Sequence, residues 1–396
     1  MILKTFDGDP HLSNRTRRLI VVMMVTYFAH YFSFNLWHTT FNNYAVELFG
    51  VTGEQIGLLQ SLREIPGFLV FSVFLFILLF SEVGTLGMST VILGAGLIAT
   101  ALSQSFLTLV LSSILMSFGF HYFYTLNNAV VLMVAERDNA AHTLGKFRSV
   151  GSLSAIIAMG VVFLLVERVG YRALYIGAGV VAIVFGAVSL FKRSVGGSLP
   201  KKRKVAFRKK YWLYYLLSFL EGSKKHISST FSIFLLVSIF EISAKNISIL
   251  FLINSVVTIY THQRLGRFID RVGERKTLTM YYIFLSMAYL GYAYITNIWV
   301  VCVIMVLAQI GMGLSTAVDS YLQKIAPPED ITSNISFRTT IDHIAAIFVP
   351  IIGGVLWTRV GHQATFFMGI IIVAAALIIT QFVGRSLEYA TEPTAH

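Results

Sequence analysis

Twelve long apolar runs dominate this sequence and constrain its fold more than any other feature. The runs cover residues 19–42, 55–80, 88–104, 107–133, 149–166, 172–191, 211–239, 247–263, 277–296, 298–323, 335–358 and 363–384. A helix of about 20 residues crosses the hydrocarbon core of a bilayer. Lipid offers no hydrogen-bond partners to open backbone, and such long runs do not match the short alternating strands of a barrel. The sequence therefore predicts an all-α polytopic membrane protein with twelve transmembrane helices, numbered here as spans one to twelve.

The composition excludes the soluble classes of protein. Of the 396 residues, 56% are hydrophobic and 13% are charged, whereas soluble domains carry about 25% charged residues. The net charge of +12 does not indicate nucleic-acid binding, because the basic residues lie in the loops between apolar runs. A single cysteine, Cys302, excludes a disulfide framework and a thiolate metal site. No Gly-rich phosphate loop ending in lysine is present, so we expect neither ATP-driven transport within this chain nor a cofactor.

The distribution of lysine and arginine predicts the orientation in the membrane. The loops on one side and the two tails hold 24 of the 31 basic residues, whereas the opposite loops hold four. Because cytoplasmic loops carry the excess of Lys and Arg, we expect both termini in the cytoplasm, at a plasma membrane or a bacterial inner membrane. Nine basic residues lie between 192 and 210. This segment either sets the orientation as a solvated linker or binds anionic lipid headgroups.

The two halves of the sequence resemble each other. Phe-Arg at 147–148 recurs at 337–338, Arg-Val-Gly at 168–170 recurs at 359–361, and Val-Gly at 83–84 recurs at 272–273. One offset near 190 residues predicts two six-helix bundles related by a parallel pseudo-twofold repeat. The predicted domains are an N-terminal six-helix bundle at 1–191, a basic cytoplasmic linker at 192–210 and a C-terminal six-helix bundle at 211–396.

The loop between spans eight and nine carries a motif with a fixed spacing. Its fixed positions are Gly266, Asp270, Arg271, Gly273, Arg275 and Lys276. This spacing resembles the signature loop of the major facilitator superfamily, a family of twelve-span secondary transporters. The resemblance implies that the loop latches neighbouring cytoplasmic helix ends, with its aspartate capping a helix or pairing with a base. The glycine at 273 permits a tight turn. Arg148 and Arg338, which are related by the repeat, are expected to act as gate or latch residues.

Two features depart from the pattern of that family. The equivalent loop of the first half, 81–87, lacks the aspartate and the basic residues, so we expect an asymmetric latch. The proline that proton-coupled drug exporters carry in span five is absent, and a similar segment at 350–354 stands in span eleven. These departures weaken the comparison with drug exporters.

Four carboxylates lie inside the spans, where an ionisable residue is costly and indicates a functional site. They are Glu64, Glu221, Asp319 and Asp342. Because burial disfavours the charged form of a carboxyl group, we predict that these residues couple transport to protons. The spacing of one helical turn predicts that Glu221 pairs with Lys225 and that Arg338 pairs with Asp342.

Polar residues at helical spacing predict a substrate route. The predicted substrate-binding residues are Tyr31, Asn35, His38, Arg63, His121, Tyr124, Asn128, Lys224, Lys225 and Gln309. Three alternatives stay open. The stripe of span one can serve helix–helix hydrogen bonding, the lysines of span seven can snorkel to a headgroup region, and Arg63 and Glu64 can form structural ion pairs. Pro66 is expected to kink span two beside that pair.

Together with these residues, the resemblance to the major facilitator superfamily implies a non-enzymatic secondary transporter that works by alternating access. We expect a small polar, including anionic, solute as the substrate, protons or another ion for coupling, no bound metal, and a monomer in the lipid bilayer. One alternative is an efflux pump for amphipathic or cationic compounds. A different class, a non-transporting membrane sensor or assembly partner with a transporter fold, stays open because fold does not imply function.

Overall fold

Helices form the regular structure of the chain, which a computed structural model describes at residues 14–135, 140–192, 207–384 and 386. The α-helices are α1 (Asn14–Phe49), α2 (Gly53–Leu62), α3 (Ile65–Phe68), α4 (Val73–Ala101), α5 (Phe106–Val134), α6 (Ala140–Leu190), α7 (Trp212–Ser238), α8 (Ala244–Val272), α9 (Glu274–Tyr294), α10 (Ile298–Met312), α11 (Ala317–Ile325), α12 (Pro328–Arg359) and α13 (His362–Thr380). Short 3₁₀ segments at Leu69–Ser72 and Gly313–Thr316 join α3 to α4 and α10 to α11.

The helices account for all twelve apolar runs. Helix α6 contains spans five and six and turns between them at Gly170 (φ 76°), whereas α4 contains the end of span two and most of span three and turns between them at Ser81 (φ 65°). Span two begins in α2, continues through α3 and enters α4, while α10 and α11 together form span ten. In the described part of the chain, eight helical stretches are long and apolar enough to cross a membrane by length and composition. Two of these stretches have 49 residues each, and α7 and α9 complete the twelve-span layout.

Residues with positive φ repeat along the chain. Within the described residues they form three pairs, which are Gly50 with Glu241, Ser81 with Gly273, and Gly170 with Gly361. The offsets within these pairs are 191, 192 and 191 residues. The same unusual backbone conformation therefore recurs at the end of spans one and seven, after spans two and eight, and after spans five and eleven. The repeat predicted from sequence is present in the backbone, although Ser81 rather than Gly84 makes the first-half turn.

The chain separates into two compact units. Of the described residues, the first contains 14–49, 62–135, 140–192 and 243–251, and the second contains 50–61, 207–242, 252–384 and 386. The predicted domain boundaries stay a prediction, because residues 193–206 of the basic linker lie outside the described part of the chain. The N-terminal tail 1–13 and the C-terminal residues 387–396 also lie outside it.

Glycines set close helix packing in the first unit. A Cβ on Gly87 would lie 2.6 Å from the carbonyl oxygen of Gly186, and one on Gly94 would lie 2.6 Å from that of Gly179. Small residues allow the backbones of α4 and α6 to approach, which is how helices associate in lipid without a hydrophobic driving force. Tyr27 belongs to an apolar cluster formed with residues of α4, α5 and α6.

The start of α12 fixes the beginning of α7 in the second unit. The buried carboxylate of Asp330 lies 2.9 Å from Arg208 Nη1 and 3.3 Å from Lys210 Nζ, and it accepts a hydrogen bond of 2.7 Å from Tyr211. The hydrogen bond with Tyr211 and the contact with Asp330 raise the pKa of Lys210. The last residues of the basic linker are thus tied to the N-terminal end of span eleven.

Candidate functional site

A buried ion pair occupies the middle of α7. Lys224 Nζ lies 2.8 Å from Glu221 Oε2, one turn away, and the two side chains are 2% and 5% exposed. The ammonium also donates a hydrogen bond of 2.6 Å to the hydroxyl of Tyr281 and lies 4.2 Å from the centroid of that ring. Burying a charge is tolerated only when it is paired and hydrogen-bonded. The sequence makes this pair possible by placing the acid and the base on one helix face.

Tyrosines of α9 complete this pair. The hydroxyl of Tyr282 donates a hydrogen bond of 2.6 Å to Glu221 Oε1. The hydroxyl of Tyr289 donates one of 2.9 Å to the backbone carbonyl of Lys224 and lies 2.8 Å from the hydroxyl of Ser228. Sequence reasoning missed these tyrosines. Their signal was a pair of adjacent tyrosines followed by another seven residues later, which places Tyr282 and Tyr289 two turns apart on α9.

A second, more accessible cluster adjoins the buried pair. Lys225 Nζ lies 2.8 Å from Asp342 Oδ2, and the side chains are 48% and 29% exposed. His226 Nε2 lies 3.6 Å from the other carboxylate oxygen, Oδ1. A Cβ on Gly222 would lie 2.7 Å from that Oδ1, so the glycine allows α12 to bring its carboxylate against α7. One acid from span eleven therefore meets two consecutive bases of span seven.

These contacts correct two pairings predicted from spacing. Glu221 pairs with Lys224 rather than with Lys225. Arg338 forms an ion pair through Nη1 with Asp319 of α11 rather than with Asp342 of its own helix. The i+3 and i+4 positions both neighbour a residue on a helix. Partners on other helices decide the outcome. Lys225 pairs with Asp342 of α12, and Arg338 pairs with Asp319 of α11.

A corresponding group of polar residues lies in the first unit, where span two breaks. Helix α2 ends before Arg63, and the guanidinium carbon of Arg63 lies 4.3 Å from the ring centroid of Trp37. Glu64 Oε2 lies 3.6 Å from His121 Nε2. The hydroxyl of Ser117 donates a hydrogen bond of 2.5 Å to the backbone carbonyl of Arg63 and lies 3.1 Å from His121 Nδ1. Arg63 and Glu64 therefore contact different side chains, Trp37 and His121, at the kink expected beside the proline.

The other predicted substrate residues are less concentrated. Asn35 uses its amide to donate a hydrogen bond of 2.7 Å to the carbonyl of Tyr31 in its own helix. His38, Tyr124 and Asn128 have exposed side chains in the first unit. In the second unit the predicted residue Gln309 of α10 is exposed. The structure thus concentrates ion pairs around Glu221, Lys224, Lys225 and Asp342. The exposed residues His38, Tyr124, Asn128 and Gln309 lie at the surfaces of their units.

The signature loop is held by a residue that the motif does not name. Glu274, which is 2% exposed, lies 2.6 Å from Lys324 Nζ and accepts a hydrogen bond of 2.7 Å from Ser320. Arg275 donates through Nε and Nη2 to Gln381 Oε1, at 3.2 and 3.1 Å. The first residues of α9 are therefore tied to α11 and to the end of span twelve.

The remaining latch residues have different positions from those expected. Gly266, Asp270 and Arg271 lie inside α8 and are exposed. Asp270 does not cap α9, because α8 continues to Val272 and Gly273 (φ 83°) takes the position before α9. Arg148 is exposed on α6. The predicted tight turn at Gly273 is present.

Comparisons with known proteins agree with this architecture. The sequence profile of the Major Facilitator Superfamily matches residues 23–329 and 211–394. A bacterial homologue of the human lysosomal transporter Spinster, in an inward-facing conformation, has a TM-score of 0.73 at 12% identity, covering 97% of this chain and 100% of that one. The nucleoside transporter NupG has a TM-score of 0.72 at 17% identity, with coverages of 94% and 99%.

A third solved structure, an auto-inhibited peptide transporter of the POT family, has a TM-score of 0.72 at 13% identity and covers 94% of this chain and 97% of that one. No curated protein matches the sequence. Identities this low establish a common fold rather than a common substrate. The profile match extends over most of the chain, and the twelve spans and their repeat agree with it. The chain therefore belongs to the Major Facilitator Superfamily and is an integral membrane protein with a transporter fold.

Proposed function

We propose that this protein moves a small polar, including anionic, solute by alternating access and couples the movement to protons. The observation that carries the proposal is the Lys225–Asp342 ion pair, in which an ammonium 48% exposed stands near the middle of a membrane span. Ionisable residues inside spans are rare and mark substrate or ion pathways. Of the predicted lysines, Lys225 is suited to contact a solute, because Lys224 is 2% exposed and held by Glu221.

The pairing of the carboxylates supports coupling by exchange of partners. Each of the four predicted coupling residues lies next to a base. These contacts are Glu64 with His121, Glu221 with Lys224, Asp319 with Arg338, and Asp342 with Lys225. A substrate anion that binds a base, or a proton that joins a pair, changes the charge balance at these positions. We propose that both termini face the cytoplasm and that the protein acts as a monomer.

Flux measurements in proteoliposomes test the proposal. A panel of radiolabelled monocarboxylates, phosphate esters, neutral polar solutes and cationic amphiphiles is offered with and without an imposed proton gradient. The wild type should accumulate an anionic solute when a gradient is present. Lys225→Met should abolish that accumulation, whereas Lys245→Met, which removes another carboxylate-paired lysine, should retain it.

Three outcomes would contradict the proposal. Transport of cationic amphiphiles with no anionic substrate would favour the efflux alternative. Unchanged anion flux in Lys225→Met would remove this lysine from the substrate route. If the folded protein transports no solute of the panel, the non-transporting class is favoured.

A further inference from the structure

One carboxylate is shared between two neighbouring bases at the accessible cluster. Asp342 directs Oδ2 to Lys225 Nζ at 2.8 Å and Oδ1 toward His226 Nε2 at 3.6 Å. His226 is 9% exposed, and its Nε2 is buried without a hydrogen-bond partner among the described residues. A buried ring nitrogen aimed at a carboxylate, but beyond hydrogen-bond distance from it, is a polar group that gains a partner when the ring becomes an imidazolium.

The charges around His226 come from two helices. Helix α12 contributes the carboxylate of Asp342, and α7 contributes the ammonium of Lys225. Helices α9, α11 and α13 also contact α7. Helix α9 places the hydroxyls of Tyr281 and Tyr282 on the buried Lys224–Glu221 pair of α7, and among the described residues no ion pair joins α11 or α13 to His226. With a neutral imidazole this cluster has no net charge. With an imidazolium it carries one positive charge, shared by two cations that compete for one carboxylate.

The other intramembrane ion pairs of the second unit contain lysine or arginine, rather than histidine, as the base. The other intramembrane acids, Glu221 and Asp319, are paired with a lysine and an arginine, Lys224 and Arg338. Histidine is the side chain whose charge ordinarily changes between about pH 5 and 8. Among the ion pairs of this unit, the Asp342 cluster therefore contains the base best suited to exchanging a proton under physiological conditions.

We infer that His226, positioned by Asp342, takes up the coupling proton in the second unit and thereby releases Lys225 to bind an anionic group of the substrate. The proton comes from solvent to the imidazole, Asp342 turns to the new imidazolium, and the Lys225 ammonium exchanges one carboxylate for another anion. One proton and one monoanion leave the cluster as neutral as it was before. This inference rests on the proposed function and assigns the proton to a residue outside the four carboxylates.

Nuclear magnetic resonance of the full-length protein, labelled at its histidine side chains and held in nanodiscs, tests the assignment without a substrate. The His226 resonance is identified by its loss in His226→Gln. In the wild type this resonance should change from that of the neutral ring to that of the charged ring as the pH is lowered. Asp342→Asn should move the midpoint by about one to three pH units toward acid, because a nearby opposite charge stabilises the protonated ring by that amount.

Lys225→Met provides the opposite change. Removing the competing ammonium should move the midpoint toward alkaline pH, whereas the control Lys324→Met, which removes a lysine paired with Glu274, should leave it in place. Opposite shifts in the two variants show that both bases are linked through Asp342. If Asp342→Asn does not fold, the wild-type titration and the shift in Lys225→Met still decide whether His226 takes up a proton in competition with Lys225.

Three results would overturn the inference. They are a His226 ring that stays neutral at every pH at which the protein is folded, shifts of the same sign in both variants, or an unchanged midpoint in Lys225→Met. Failure of the proposed function appears separately. If no solute of the flux panel moves, the titration result stands on its own, and if proton-coupled flux persists unchanged in His226→Gln, the function stands and the proton assignment falls.

Discussion

Separating the buried ion pair of α7 should cost far more stability than separating an exposed one. Lys224→Met leaves the Glu221 carboxylate, which is 5% exposed, without the ammonium 2.8 Å away. Removing one partner of a buried pair typically costs about 3–5 kcal/mol, because the remaining charge is desolvated and uncompensated. We expect a loss of this size in the free energy of unfolding for Lys224→Met, and also for Glu221→Gln, which leaves the Lys224 ammonium, 2% exposed, without a carboxylate partner.

The double variant separates pairing from packing. Replacing both members of a buried pair by neutral groups of similar size is often neutral or stabilising. Glu221→Gln/Lys224→Met should therefore lose less than the sum of the single variants, with a coupling energy of about 2–3 kcal/mol. Part of the loss will remain, because Lys224 also donates to Tyr281 and lies against its ring.

An exposed pair of the same length provides the control. Lys245 Nζ also lies 2.8 Å from a carboxylate, that of Glu167, but the side chains are 34% and 58% exposed. Exposed pairs contribute about 0.2–1 kcal/mol. Unfolding by denaturing detergent, followed by circular dichroism, measures all variants. The reasoning is refuted if Lys224→Met is no less stable than Lys245→Met, or if the losses in the double variant simply add.

Two further variants probe packing and anchoring in the second unit. Gly57→Leu should lower the free energy of unfolding by about 1–3 kcal/mol through overpacking, because a Cβ there would collide with the carbonyl oxygen of Pro350. The control Gly160→Ala, in the first unit, has open space around its Cβ position and should change little in the same melting assay. Asp330→Asn should speed tryptic cleavage after Arg208 several-fold, because weakening a hydrogen bond to a charged group costs about 1.5–3 kcal/mol. An unchanged cleavage rate would show that this contact does not hold the segment.

Much of the fold could be predicted because membrane insertion imposes simple rules. Each span needs a long apolar run, and a repeated chain brings its turns back at one offset, as Gly170 and Gly361 do. The register of the first-half turn was wrong by three residues. The Val-Gly match pointed to Gly84, but the turn is made by Ser81, whose hydroxyl donates to the carbonyl of Lys192. A local contact of this kind leaves no periodic signal.

The site was predictable as a set of residues but not as a set of partners. Spacing placed Glu221, Lys224 and Lys225 within one turn, and such spacing leaves several neighbours open. The choice depends on α9 and α12, which approach α7 from distant positions in the sequence. The signature loop shows the same limit. Its pattern drew attention to Asp270, but the helix boundary at Gly273 makes Glu274 the buried acid.

Charge balance in the second unit limits how a substrate anion can be carried. Its intramembrane acids Glu221, Asp319 and Asp342 are each matched by one lysine or arginine. An uncompensated charge at the centre of a span costs about 2.5–3.5 kcal/mol on insertion scales. A monoanion should therefore move with one proton and no net charge. In proteoliposomes a valinomycin-imposed potassium potential should then leave its uptake unchanged, while a proton gradient drives it. Uptake driven by the potential alone would show that a charge crosses uncompensated and that these pairs do not set the stoichiometry.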